Sequence, residues 1–226
     1  MDTLTLYLSV GINEAAYFDE AIIGFDREAY GTVYGDFSSE PFRIRQATQT
    51  NDILALTNAL KNPIIGSWFF TGHAGGVNMI HGHDQHLTVD LTSKQVAAVL
   101  GTTLVNDAEG LSAKYGRRLF STIIAGCGST SGEYPTATGT PPGVQQVGNS
   151  QVKKSVFLGF NGTMYVGTTN NNWNYAIHAI WIDGNDYDTP LSDAVAAANS
   201  AYPSVLLWRP TIYGHRFLEY NANESR

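Results

Sequence analysis

The chain has 226 residues, 43% of them hydrophobic and only 15% charged, a balance that suits one sizeable core and argues against a disordered chain or a coiled coil. Its net charge is -7 and it contains no run of lysines and arginines, which argues against nucleic acid as a direct partner. The single cysteine, Cys127, excludes an internal disulfide framework and a cysteine-pair metal site, and it points to a reducing compartment.

Residues 3 to 10 (TLTLYLSV) predict a first strand. With an acid at position 2 and no basic leader, the start of the sequence reads as that strand and not as a signal peptide, and cytoplasmic residence is the default expectation. Residues 14 to 34 have the spacing of a helix, and residues 42 to 47 (FRIRQA) alternate as a strand near a sheet edge does. Asn51 then caps a helix whose apolar face is Ile53, Leu54, Leu56 and Leu60, and which Asn62 and Pro63 stop.

Residues 64 to 71 lack polar alternation and predict a strand buried on both faces. A hairpin or ordered excursion with a polar tip follows over residues 77 to 90, then a helix from Thr92 to Leu100 with Gly101 after it. Residues 119 to 125 predict the next buried strand. The segment 128 to 150 (GSTSGEYPTATGTPPGVQQVGNS) is almost uncharged and rich in Gly, Ser, Thr and Pro, so it is expected to be a mobile loop overhanging a site.

Residues 155 to 160 (SVFLGF) predict a strand, 172 to 182 and 190 to 201 helices, the second with Pro190 in its first turn, and 212 to 220 a closing strand. The longest apolar runs fall well short of the roughly 20 residues of a membrane helix, so no membrane partner is expected. Strands alternating with helices predict one α/β domain over residues 1 to 226 with a largely parallel sheet.

Two stretches carry the chemistry. IIGSWFFTGHAGG (64 to 76) runs apolar into Gly72 and His73, and LFSTIIAGCGSTSG (119 to 132) runs apolar into Gly126 and Cys127. If the two strands are parallel neighbours, joined by a crossover containing the helix at 92 to 100, their C-terminal ends lie on one edge of the sheet. Adjacent strands are about 4.8 Å apart, so His73 and Cys127 would meet at the edge where such sheets form their ligand crevice. A thiolate beside an imidazolium is a nucleophile with its proton donor in place. Flanking glycines admit a substrate backbone.

Strand then Gly-His-(small)-Gly, a helix, and strand then (small)-Cys-x-Ser resemble the caspase-like cysteine peptidases, the group of caspases, separases, gingipains, clostripain and CHAT-domain proteases. The resemblance covers roughly residues 40 to 220. The spacing between His73 and Cys127, 127 minus 73 or 54 residues, agrees with the roughly 50 that separate the pair in caspases. The resemblance implies a three-layer α/β sandwich with a mostly parallel sheet of about six strands, and a cysteine endopeptidase acting on protein or peptide substrates without a cofactor. It further implies Cys127 as nucleophile, His73 as its partner, and the backbone N–H groups of Ala74 and Cys127 as oxyanion donors. The family usually has glycine after the histidine, where this chain has Ala74. Ala125 and Gly126 stand where Arg-specific and Lys-specific members carry an acid, so basic specificity by that route is not expected.

Ser129, Asn172 and Trp173 are candidate pocket-lining residues, with turn shaping as the competing role for Ser129 and core packing for Trp173. An inactive caspase-like binding or signalling module, attached to a regulatory partner or a larger parent protein, is the alternative from another class. A further alternative is a metal-dependent hydrolase built on IHGHDQH, in which His81, His83, Asp84 and His86 would gather a divalent ion. Its order departs by one place from the His-x-His-x-Asp-His arrangement of metallo-β-lactamases, and a solvated hairpin tip is the simpler reading.

Overall fold

The computed structural model describes residues 2–8, 43–44, 57–58, 60–61, 65–75, 79–83, 88–101, 104–107, 110–113, 119, 121–130, 134–140, 156–164, 168–181 and 189–214. They form a mixed α/β structure around a mostly parallel sheet. Strand β1 (Asp2–Leu8) is flanked by β2 (Arg43–Ile44) and β3 (Ile65–Gly75), and β3 is followed by β8 (Ser121–Ala125) and β9 (Val156–Phe160), all of these pairs being parallel. β10 (Pro210–Gly214) closes that end antiparallel to β9. Of the strand expected over 42 to 47, Arg43 and Ile44 are described and form β2 beside β1; the rest lies outside the described residues.

The parallel strands read as continuous apolar runs because both of their faces are covered. In β3 the successive side chains of Trp68, Phe69 and Phe70 are all buried, and alternation divides them between two cores. Trp68 and Phe70 join Ile124 and Phe157 against α1 (Ser93–Leu100) and α2 (Tyr134–Ala137). Phe69 joins Ile123, Ala125, Leu158 and Phe160 against α3 (Thr168–Trp181), α4 (Leu191–Ala201) and a 3-10 turn at Pro203–Trp208. In the second core Trp173 bridges two helices, its indole N–H donating to Asn199 Oδ1 at 2.9 Å.

The crossover from β3 to β8 is longer in regular structure than expected. It holds the antiparallel pair β4 (Met79–His83) and β5 (Thr88–Thr92), then α1, then a separate hairpin of β6 (Leu104–Asp107) and β7 (Gly110–Ala113). Helix α1 begins with a capping box, Thr92 Oγ1 accepting from the Gln95 amide and Gln95 Oε1 accepting from the Thr92 amide.

Three expectations are corrected. Residues 134 to 140, expected within a mobile loop, are buried throughout and contain α2; Thr138 and Thr140 donate their hydroxyls to the carbonyls of Tyr134 and Pro135, so polar residues close their own bonds inside the core. The stretch 141 to 150 lies outside the described residues, as do residues 14 to 34 and the tip at 84 to 87. Helix α3 starts at Thr168, four residues before the expected start. Pro190 is the N-cap of α4 and not part of its first turn.

Candidate active site

Strands β3 and β8 run in register from Ser67 opposite Ser121 to Thr71 opposite Ala125. His73 and Cys127 each stand two residues beyond that last rung, His73 within β3 and Cys127 in the turn that follows the neighbouring parallel strand β8, at the same edge of the sheet. They share a face as well. Along β3, His73 is four positions after Phe69 and so falls on the same face, the one whose core lies toward α3 and α4, and Cys127 packs partly buried against that same core.

The turn after β8 is held against the end of β9. The chain leaves β8 at the buried Gly126 and passes through Gly128, at a φ of 59° that favours glycine. The Gly128 amide donates to Gly162 O at 3.0 Å and the Thr130 amide to Phe160 O at 3.2 Å. Ser129 supplies a third tie, its hydroxyl donating to Ile124 O at 2.8 Å and accepting from the Phe160 amide at 2.9 Å. Gly159 makes this approach feasible, since a Cβ there would lie 2.7 Å from Ser129 Oγ.

The sulfur of Cys127 is engaged by one residue. The Met164 amide donates to Sγ at 3.2 Å, and the thiol donates to the Met164 carbonyl at 3.3 Å. Sequence reasoning missed Met164 because it acts through its backbone, which leaves no mark on side-chain identity. Among the described residues, the Cys127 amide has no acceptor.

On the histidine side the glycine-rich stretch is not a loose loop. β3 continues to Gly75, because β4 takes up pairing at His73, one residue after β1 stops at Gly72. Ala74 is 7% exposed and lies opposite Ile80 in this ladder. The peptide groups of a strand alternate in direction, so the extension 72 to 75 presents some to β4 and some to its other flank.

Of the candidate pocket residues, Ser129 is 3% exposed and Trp173 fully buried, the latter with its ring 5.1 Å from that of Phe160. Ser129 is tied into the turn after β8 and Trp173 lies in the core. Asn172 is exposed on α3. His81 and His83 lie on β4, whereas Asp84 and His86 fall outside the described residues. The register runs His73 opposite His81 and His81 opposite Asp90, with Ala74, Ile80 and Leu91 on the next rung. His73, His81, His83 and Asp90 are placed by their backbones; among residues with described side chains, no three of His, Cys, Asp or Glu gather.

No protein-family model matches the chain, and no curated protein matches it. Among the described residues no helix is long and apolar enough to cross a membrane.

Proposed function

We propose that the chain is a cysteine endopeptidase of caspase-like type, a three-layer sandwich on a sheet of about six strands, with His73 and Cys127 as its dyad. The observation that carries this reading is the Thr71/Ala125 rung of two adjacent parallel strands: each of the two residues follows it by the same number of steps along its own chain segment. The cores on both faces of the sheet support the layered architecture.

In the proposed reaction the Cys127 thiolate attacks the carbonyl carbon of the scissile peptide. The oxyanion that forms is held by backbone N–H groups, the Cys127 amide foremost because it has no acceptor of its own among the described residues. His73, as imidazolium, gives its proton to the leaving amine as the C–N bond breaks. Water then attacks the thioester with His73 taking a proton, which releases the carboxylic acid as the C–S bond breaks and restores the thiolate with its imidazolium partner. Proteins or peptides are the substrate class, and Asn172 is the remaining candidate for the pocket.

A second reading, a binding module on the same fold, is favoured by one observation. The thiol of Cys127 is occupied in both directions by Met164, as a purely structural cysteine is. A peptide-library cleavage assay separates the two. The peptidase reading expects cleavage that falls at least ~1,000-fold in Cys127→Ala and in His73→Ala; cleavage that survives both substitutions, or yields to a chelator and not to a thiol alkylator, overturns it.

A further inference from the structure

The turn after β9 carries Asn161, Gly162 and Thr163, with the side chains of Asn161 and Thr163 exposed. No other Asn-Gly pair occurs in the sequence. The packing demands that glycine, because a Cβ at Gly162 would lie 3.1 Å from the carbonyl oxygen of Trp208. Among the described residues the Gly162 N–H has no acceptor and the Asn161 carboxamide has no partner. A free amide nitrogen, unshielded by any side chain of its own, thus follows an unrestrained side-chain carbonyl.

We infer that Asn161 is a self-modification site, converted through a succinimide to isoaspartate and aspartate, and that the isoaspartate form loosens the turn holding Cys127. The Gly162 nitrogen, losing its proton, attacks the side-chain carbonyl carbon of Asn161. The bond from that carbon to the carboxamide nitrogen breaks, and ammonia leaves with the proton as a five-membered ring closes. Water then opens the ring. Cleavage of one ring C–N bond gives aspartate; cleavage of the other gives isoaspartate, whose main chain runs through the side-chain carbons and is longer by a methylene.

That lengthening falls inside a set of ties. The Asn161 amide donates to Arg209 O at 3.0 Å, the Gly128 amide donates to Gly162 O at 3.0 Å, and the Met164 amide donates to Cys127 Sγ at 3.2 Å. An isoaspartate at position 161 displaces the Gly162 carbonyl and so strips the Gly128 amide of its acceptor. Other asparagines lack this combination. Asn199 precedes the small Ser200, but its Oδ1 is held by the Trp173 indole N–H at 2.9 Å within α4. Asn172 is exposed, but the residue after it is the buried Trp173 inside α3.

The reaction needs no enzyme, and the site does not rest on the peptidase reading.

The test is incubation of the full chain for days at physiological temperature and mildly alkaline pH, followed by digestion and mass spectrometry. The peptide containing Asn161 should gain the mass of an amide exchanged for an acid and split into two chromatographic forms, one of them methylated by an isoaspartyl methyltransferase. Neither form should arise in Asn161→Gln, and Asn199 and Asn172 should stay intact. The isolated isoaspartyl chain should melt about 2 to 4 °C below the fresh chain, the loss of roughly one hydrogen bond at this length. Freshly prepared Asn161→Asp, which has the charge without the extra methylene, should melt as the fresh wild type does. An unmodified Asn161, or products at Asn199 and not at Asn161, overturns the inference, and so does an isoaspartyl chain that melts with the fresh one. A chain that converts at Asn161 and cleaves no peptide upholds this inference while the peptidase reading fails.

Discussion

Thr71 lies opposite Ala125 at the last rung shared by β3 and β8, and that pairing sets His73 and Cys127 at matching positions on one sheet edge. A slip of a single residue in either strand would move one of them to the other face. The continuous apolar character of both strands does not by itself fix the register. The pairing of β1 with β3 on one side and of β8 with β9 on the other does so from outside the pair.

Cys127 is the only thiol in the chain, so alkylation is read directly by intact mass. A low dose of iodoacetamide at neutral pH should add one adduct. If the proposed dyad holds, the rate in His73→Ala should be at least ~10-fold slower, because the proposed partner of the sulfur is gone. Equal rates in the two proteins would remove His73 from the chemistry, and an unlabelled wild type would favour the binding-module reading.

Ser129 and Thr130 are neighbours with opposite expected responses. Ser129→Ala strips a buried acceptor from the Phe160 amide and a donor from the Ile124 carbonyl, so thermal or denaturant unfolding should show a loss of about 1 to 3 kcal/mol. Among the described residues, the buried hydroxyl of Thr130 has no partner. Thr130→Val should be neutral or stabilising by up to about 1 kcal/mol in the same experiment.

Gly159→Ala should be among the more damaging small substitutions. The new Cβ would meet Ser129 Oγ at 2.7 Å, Phe157 Cε1 at 2.9 Å and Thr130 Cγ2 at 3.0 Å, all in packed surroundings. A loss of about 1 to 3 kcal/mol is expected, together with a changed alkylation rate at Cys127, since the turn that holds it must shift. Unchanged unfolding and labelling would show that the turn does not depend on this approach.

Thr92→Ala removes half of the capping box of α1 while leaving the buried face of the helix intact. The expected cost is about 1 kcal/mol, or roughly 2 to 4 °C in melting temperature for a chain of this length, with no effect on labelling of Cys127. Differential scanning calorimetry beside the alkylation assay checks both halves of the statement.

The sequence revealed what depends on long apolar runs or on local capping. β3, β8 and β9 were legible because burial on two faces removes polar alternation, and α1 because Thr92 and Gly101 bracket it. The segment 134 to 140 was misread because Thr136, Thr138 and Thr140 look like loop residues, whereas two of their hydroxyls bond the backbone a few residues earlier. β6 and β7 are only four residues each, too short for periodicity to announce. The pairing of the two glycine-framed stretches was readable in outline. The extension of β3 into a second ribbon was not, because it depends on where β1 stops, a fact of register that composition does not carry.

Cys127 is moored through Ser129, Gly159 and Met164, while His73 is carried on a ribbon completed by β4 and β5. Among the described residues the two groups have no supporting residue in common. Substitutions in one set and in the other should therefore combine additively in their effect on stability, which gives an engineer two separate dials, one for the sulfur and one for the imidazole.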